Sequence, residues 1–169
     1  MHTNQPSSSA LFDMTQAWCV GALLLAAGSS RRFGDADKRC ASLNGGATVL
    51  QVCIDNLASV VEDVAVVLRH EDADLIQSLD FKAGKVVSVS GSGAGMGVSL
   101  AAGIGAMSYC DSILVFLGDM PYKQRKTIQQ ILTLSRSNPI VVPTFDGTWG
   151  HPVGFPKHFS ASNLSRDRS

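Results

Sequence analysis

The stretch Cys19-Val-Gly-Ala-Leu-Leu-Leu-Ala-Ala-Gly-Ser-Ser-Arg-Arg-Phe-Gly34 decides the fold class. Its first seven residues form a continuous apolar run, the pattern of a strand buried on both faces of a parallel sheet. The run ends in small residues, Ala26 to Ser30, which let backbone N–H groups close on a phosphate chain that a Cβ would obstruct. Arg32 and, further on, Lys38 are placed to neutralise phosphates, the arginine by a planar fork and the lysine as a point charge. A glycine turn with a solvated basic pair fits the same residues. Neither of two familiar phosphate motifs is present. Gly34 is followed by Asp35 rather than by the lysine of a P-loop, and a dinucleotide fingerprint begun at Gly91 and Gly93 would end on Met96.

Outward from this stretch, strands and helices alternate. Val49, Cys53, Leu57 and Val60 recur at helical spacing, and Asp63 to Leu68 reads as a second buried strand. Asp72 to Leu79 reads as a short helix and Lys85 to Val89 as a third strand, which leads into the glycine cluster Gly91 to Gly97. Met96, Leu100, Ile104 and Met107 share one helical face. Ser112 to Leu117 is a fourth strand, Lys126 to Ser135 a helix, and Ile140 to Val142 a fifth strand. Such alternation predicts βαβ units with right-handed crossovers: one α/β domain, Rossmann-like and three-layered, with a mostly parallel sheet. Ligands of such sheets bind at the carboxyl ends of the strands. Residues 25–38, 90–99 and 118–121 fall there.

Composition narrows the function classes. The chain has 169 residues, with 14 basic and 14 acidic side chains, so it lacks the broad positive surface of a nonspecific nucleic-acid binder. The longest apolar run, Ala17 to Gly28, holds 12 residues, against about 20 for a membrane span. Met1 to Gln16 is polar and aperiodic and reads as a mobile tail, leaving residues 17–169 as the domain. Cys19, Cys40, Cys53 and Cys110 have no CxxC spacing, which argues against a zinc site or a disulfide framework and for a soluble protein of the reducing cytoplasm.

Three further motifs carry chemistry. In Leu117-Gly-Asp-Met-Pro121, Asp119 follows a strand and suits either Mg²⁺ coordination or capping of a helix beginning near Tyr122. Gly91 to Gly103 offers a small-residue loop ahead of a helix, where Gly97 and Ser99 stand. Close helix packing through Gly103 and Gly105 is the alternative use of those glycines. In Gly150-His-Pro-Val-Gly-Phe155, His151 is placed either to meet substrate or to serve as a structural histidine.

Taken together and in this order, LAAGSSRRFG with Lys38, GMGVSLAAG, LGDMP and GHPVGF resemble the molybdenum cofactor cytidylyltransferase family, within the molybdopterin nucleotidyltransferase group. The likeness runs from about Val20 to Phe159. It implies a fold of nucleotidyltransferase type and transfer of CMP from CTP to a molybdopterin-type cofactor, with release of pyrophosphate. It further implies that Leu25, Ala26, Ala27, Gly28, Ser29 and Ser30 cradle the nucleotide, and that Gly97 and Ser99 lie by the base or ribose. Arg32 and Lys38 would hold the triphosphate, and Asp119 would bind Mg²⁺. A recipient molybdoenzyme is the implied partner; nucleic acid and membrane are not. The guanylyltransferase branch, by contrast, resembles LAGG at the first turn and ends the later strand in Cys-Asp. This chain has Ala27 and Gly118-Asp119 at those points, so CTP is expected over GTP. Two departures accompany the likeness: Lys38-Arg-Cys-Ala-Ser-Leu43 is more polar than the family's apolar stretch, and the family's second acidic motif beyond GHPV is missing before Ser169. A noncatalytic nucleotide- or pterin-binding remnant, shortened at its C-terminus, is the reading that the missing acidic motif favours.

Overall fold

The computed structural model describes residues 18–28, 37–43, 45–81, 84–90, 95–137 and 140–156. Four parallel strands form where the apolar runs predict them: β1 (Val20–Leu25), β2 (Asp63–Arg69), β3 (Lys85–Val89) and β4 (Ser112–Leu117). Helices α1 (Val49–Ala58), α2 (Ala73–Ser78), α3 (Met96–Ala106) and α4 (Arg125–Ser135) fill the connections. Short 3-10 turns at Lys38–Cys40 and His70–Asp72 precede α1 and α2. The segments expected as the N-terminal tail (Met1 to Gln16) and as the altered C-terminus lie outside the described residues.

The expected fifth strand needs correction. Within Ile140 to Val142, Val141 makes an isolated bridge to Gly154. The fifth strand of the main sheet is instead β7 (Val153–Pro156), antiparallel to β4, after a small hairpin of β5 (Thr144–Phe145) and β6 (Thr148–Trp149). The sheet order is β3-β2-β1-β4-β7. A proline at the end of an edge strand is tolerated because its missing N–H breaks no ladder on the outer side. The resulting sheet is mostly parallel with one antiparallel edge.

Alternate side chains of the central strands feed two cores, one on each face. Ala22, Leu24, Val64, Val66, Leu114 and Phe116 meet Leu50, Cys53, Ile54 and Leu57 of α1 and Ile128 and Ile131 of α4. Leu23, Ala65, Val67, Ile113 and Val115 face the other way, toward Ile104 and Met107 at the end of α3. Thr48 opens α1 by accepting the N–H of Gln51, and the apolar stripe then buries three leucine or isoleucine side chains worth about 1.5–3 kcal/mol each. On α3 the packing role falls to Gly103, where a Cβ would strike the Leu23 side chain; Gly105 faces open space. The helix therefore approaches the sheet through one glycine of the pair.

Candidate functional site at the carboxyl edge

Parallel pairing puts the ends of β1 and β4 side by side, with Leu25 opposite Leu117. The next residues continue the contact: the Gly118 N–H donates to the Leu25 carbonyl at 2.9 Å. At Gly118 a Cβ would come within 2.9 Å of Ala26 Cβ and 3.2 Å of the Leu25 oxygen. Glycine is needed here for close approach. Asp119 follows at once and is exposed, while Leu114 to Phe116 behind it are buried.

The turn holding Asp119 is pinned from α1. Asn56 Nδ2 donates to the Pro121 carbonyl at 2.6 Å, and the Cys53 thiol lies 3.8 Å from the Gly118 oxygen. Burial pushes the Cys53 thiol up to about 11, so it is a packed donor and not a nucleophile. Helix α4 begins only at Arg125 and takes Gln124 as its N-cap residue. The capping role considered for Asp119 is thereby removed. Among the described residues Asp119 joins no cluster of three metal-ligating side chains, yet one carboxylate with phosphate and water oxygens suffices for Mg²⁺.

At the end of β1, both polar backbone groups of Ala26 are engaged: its N–H donates to Val67 at 2.9 Å, and its carbonyl accepts from Arg39 Nη1 at 2.6 Å. Ala27 is half-buried and Gly28 is exposed, with open space where its Cβ would be. Ser29, Ser30 and Arg32 lie outside the described residues. Lys38 opens the first 3-10 turn, next to Arg39.

Arg39 is the residue that sequence reasoning missed. Its side chain is buried, and it forms a bidentate pair with Asp72 (2.7 and 2.8 Å) while also binding Asp37. Arg69 donates to Asp72 from the other side, at 2.7 Å. Burial works against ionising Asp72, but hydrogen bonds from Arg39 and then Arg69 outweigh it and hold its carboxyl well below the usual range. The Arg39 hydrogen bond likewise lowers Asp37. Burial opposes the charge on Arg39, and Asp37 and Asp72 more than restore it. The extra polarity of Lys38 to Leu43 thus has a physical reason: Arg39 ties the β1 turn to the residues that follow β2. The signal in the sequence was Asp37, two residues before Arg39 and close enough for the two side chains to pair.

The remaining predicted residues divide. Antiparallel register pairs Val153 with Val115, so His151, two residues before it, falls level with the end of β4. His151 is half-buried and its Nδ1 is buried without a hydrogen-bond partner. The His151–Pro152 peptide is cis. Gly97 is exposed on the first turn of α3, whereas Ser99 is buried on the packed side; two residues on a helix point about 200° apart. The glycine loop 91–94 lies outside the described residues. No helix among the described residues is long and apolar enough to cross a membrane.

Comparison with known proteins supports this architecture. No curated protein matches the chain. Among solved structures, Rv0371c from Mycobacterium tuberculosis H37Rv is similar at 23% identity with a TM-score of 0.79, covering 89% of this chain and 77% of that one. A nucleotidyl transferase from Methanothermobacter thermautotroptrophicus gives 20% identity, a TM-score of 0.77, and coverage of 90% and 78%. The 4-diphosphocytidyl-2C-methyl-D-erythritol synthase from Anaerococcus prevotii gives 20% identity, a TM-score of 0.68, and coverage of 88% and 74%. These likenesses establish the α/β nucleotidyltransferase fold. The profile of the MobA-like NTP transferase domain matches residues 22–167, nearly the whole described structure, and the chain belongs to that family.

Proposed function

We propose that this protein is a nucleotidyltransferase that moves CMP from CTP to the phosphate of a molybdopterin-type cofactor and releases pyrophosphate, with Mg²⁺ as the assisting ion. The observation that carries the reading is one of order. The LAAG turn, the GDMP turn and the GHPV segment are far apart in sequence, yet they stand at neighbouring positions of the sheet, on β1, β4 and β7. Phosphoryl chemistry leaves little covalent work to the protein, so positioning and charge are the main demands.

The residues divide that work. Ala26 has no spare N–H, so backbone donors for a triphosphate begin at Ala27 and Gly28 and continue into Ser29 and Ser30. Lys38 and Arg32 supply positive charge, and Asp119 holds Mg²⁺, which withdraws charge from the phosphate oxygens when bound. An acceptor phosphate oxygen then attacks the α-phosphorus in line, the bond to the bridging oxygen breaks, and pyrophosphate carries that electron pair away. His151, half-buried and level with the end of β4, is assigned to substrate contact. Cytidine is favoured by Ala27 at the first turn. A structural neighbour described as CMP:2-keto-3-deoxy-manno-octonic acid synthetase complexed with CTP agrees with that choice. A Rv0371c structure described as a complex with manganese agrees with a divalent ion at such a site.

Asp119→Asn provides the test. The expected outcome is a fall of at least about 100-fold in Mg²⁺-dependent pyrophosphate release, with an unchanged melting temperature. Calorimetric titration of CTP, GTP and ATP accompanies it. GTP binding as tight as CTP overturns the cytidylyl reading, and binding without turnover in the parent supports a noncatalytic remnant.

A further inference from the structure

The opposite edge of the sheet holds a second constellation. Cys19 immediately precedes β1, Asp63 begins β2, and Cys110 precedes β4. Because these strands are parallel neighbours, their first residues meet. The Cys19 sulfur lies 3.3 Å from Cys110 Sγ and 3.8 Å from Asp63 Oδ2, and the three ligand atoms all lie within 4.8 Å of one another. We propose that Cys19, Asp63 and Cys110 form a zinc-binding site at the amino edge, remote from the nucleotide crevice and independent of the substrate assigned to it.

Geometry and chemistry carry the proposal. A point equidistant from three atoms so spaced lies no more than about 2.4 Å from each, against about 2.3 Å for Zn–S and about 2.0–2.2 Å for Zn–O. Two thiolates with one carboxylate select a borderline-soft ion over Mg²⁺ or Ca²⁺, which prefer oxygen throughout. The ligands are also oriented from behind. Tyr109 donates its hydroxyl to Asp63 Oδ1 at 2.9 Å, which leaves Oδ2 facing the sulfurs. Asp111 accepts the Cys19 N–H at 3.0 Å and fixes the backbone that carries the thiol. Such outer partners hold metal ligands in register.

Charge balances as well. Binding displaces the two thiol protons to solvent and leaves a site of net charge −1, with the Lys85 ammonium 3.3 Å from the Tyr109 hydroxyl to offset it. Cys110 is buried to 1% exposure, whereas Cys19 and Asp63 are half-buried. An ion therefore reaches the site from the Cys19 side, where water completes the fourth position.

Zinc uptake by the full reduced chain, measured by competition with a chromophoric chelator, tests this directly. One equivalent is expected, with a thiolate-to-metal charge-transfer band when Co²⁺ replaces Zn²⁺. Cys19→Ser should weaken binding at least about 100-fold, more than loss of an outer partner does, and Asp63→Asn should weaken it less. Cys19 and Asp63 are half-buried, so these variants keep the fold, and their melting curves verify that. Cys40→Ser should bind as the parent does. Equal zinc binding by Cys19→Ser and parent overturns the proposal. So does a parent that takes up no zinc but joins Cys19 to Cys110 on treatment with glutathione disulfide, an outcome that makes the pair a redox couple.

Discussion

At the carboxyl edge of the sheet, the described residues include the turns that follow β1 and β4, with Gly28 and Asp119 exposed and His151 half-buried beside them. The strong interactions that hold these turns lie one layer behind, in the buried Arg39–Asp72 pair and in the Asn56 and Cys53 contacts from α1. At the amino edge, the side chains of Cys19, Asp63, Tyr109 and Cys110 are drawn onto one another directly. One edge is braced by contacts behind it; the other is braced by the groups that define it. Substitutions in the hidden support should therefore read out as stability, and those at the exposed face as function.

The sharpest way to break this contrast is Arg39→Met. It leaves Asp72 buried with only Arg69 as partner and leaves the Ala26 carbonyl unpaired. A loss of about 3–5 kcal/mol is expected in urea denaturation at neutral pH. Combining Arg39→Met with Asp72→Leu should recover part of that loss, because no uncompensated buried charge then remains. Parent-like stability of the single variant would show that the turn does not depend on this support.

A smaller effect is expected where the two strand ends touch. Gly118→Ala forces a methyl group against Ala26 and the Leu25 carbonyl, at a cost of about 1–3 kcal/mol. Thermal melting measures the cost. Nucleotide affinity should fall with it, since the same shift displaces the β1 turn.

Acidification sharpens the comparison further. An unfolded chain protonates Asp72 near pH 3.9, about the ordinary carboxylate value, but the folded protein does so only at lower pH. The stabilisation is complete above the ordinary value and is lost as pH falls from there toward the depressed one. The difference in melting temperature between parent and Asp72→Asn should thus be largest near neutrality and narrow below about pH 4. A constant difference across that window would mean that the Asp72 charge contributes nothing.

The smallest effect should be a gain. Gly105 on α3 faces open space near the amino edge, and Gly105→Ala should stabilise the protein by about 0.5–1 kcal/mol through helix propensity. Gly103→Ala, two residues earlier, should do the opposite by colliding with Leu23. Paired denaturation curves distinguish them.

How much of this could be read from the sequence follows from where each signal resides. β1, β2 and β4 were legible because strands buried on both faces leave long apolar runs, and the half-exposed edge strand β3 because Val86, Val87 and Val89 favour a strand. β7 was not: Val153-Gly-Phe-Pro156 is short and broken by glycine and proline, features an edge strand tolerates. Ile140 to Val142 looked more like a strand and pairs at one residue. Asp119 was legible as a strand-end carboxylate, and α4's late start removed its rival role. Arg39 was obscured because its partner, Asp72, lies beyond α1 and β2. A longer separation hid the contact between Cys19 and Cys110, which become neighbours only when β1 and β4 pair.

The central place of β1 has a consequence for how the chain is made. Gly21 pairs with Asp63 on one side and with Ile113 on the other. A ribosome adding about 5–20 residues per second supplies the second partner about 90 residues after the first strand, some seconds later. During that interval one full edge of the most apolar strand has a backbone ladder and no neighbour. Nascent chains interrupted between α3 and β4 should accordingly be the ones that chaperones hold longest.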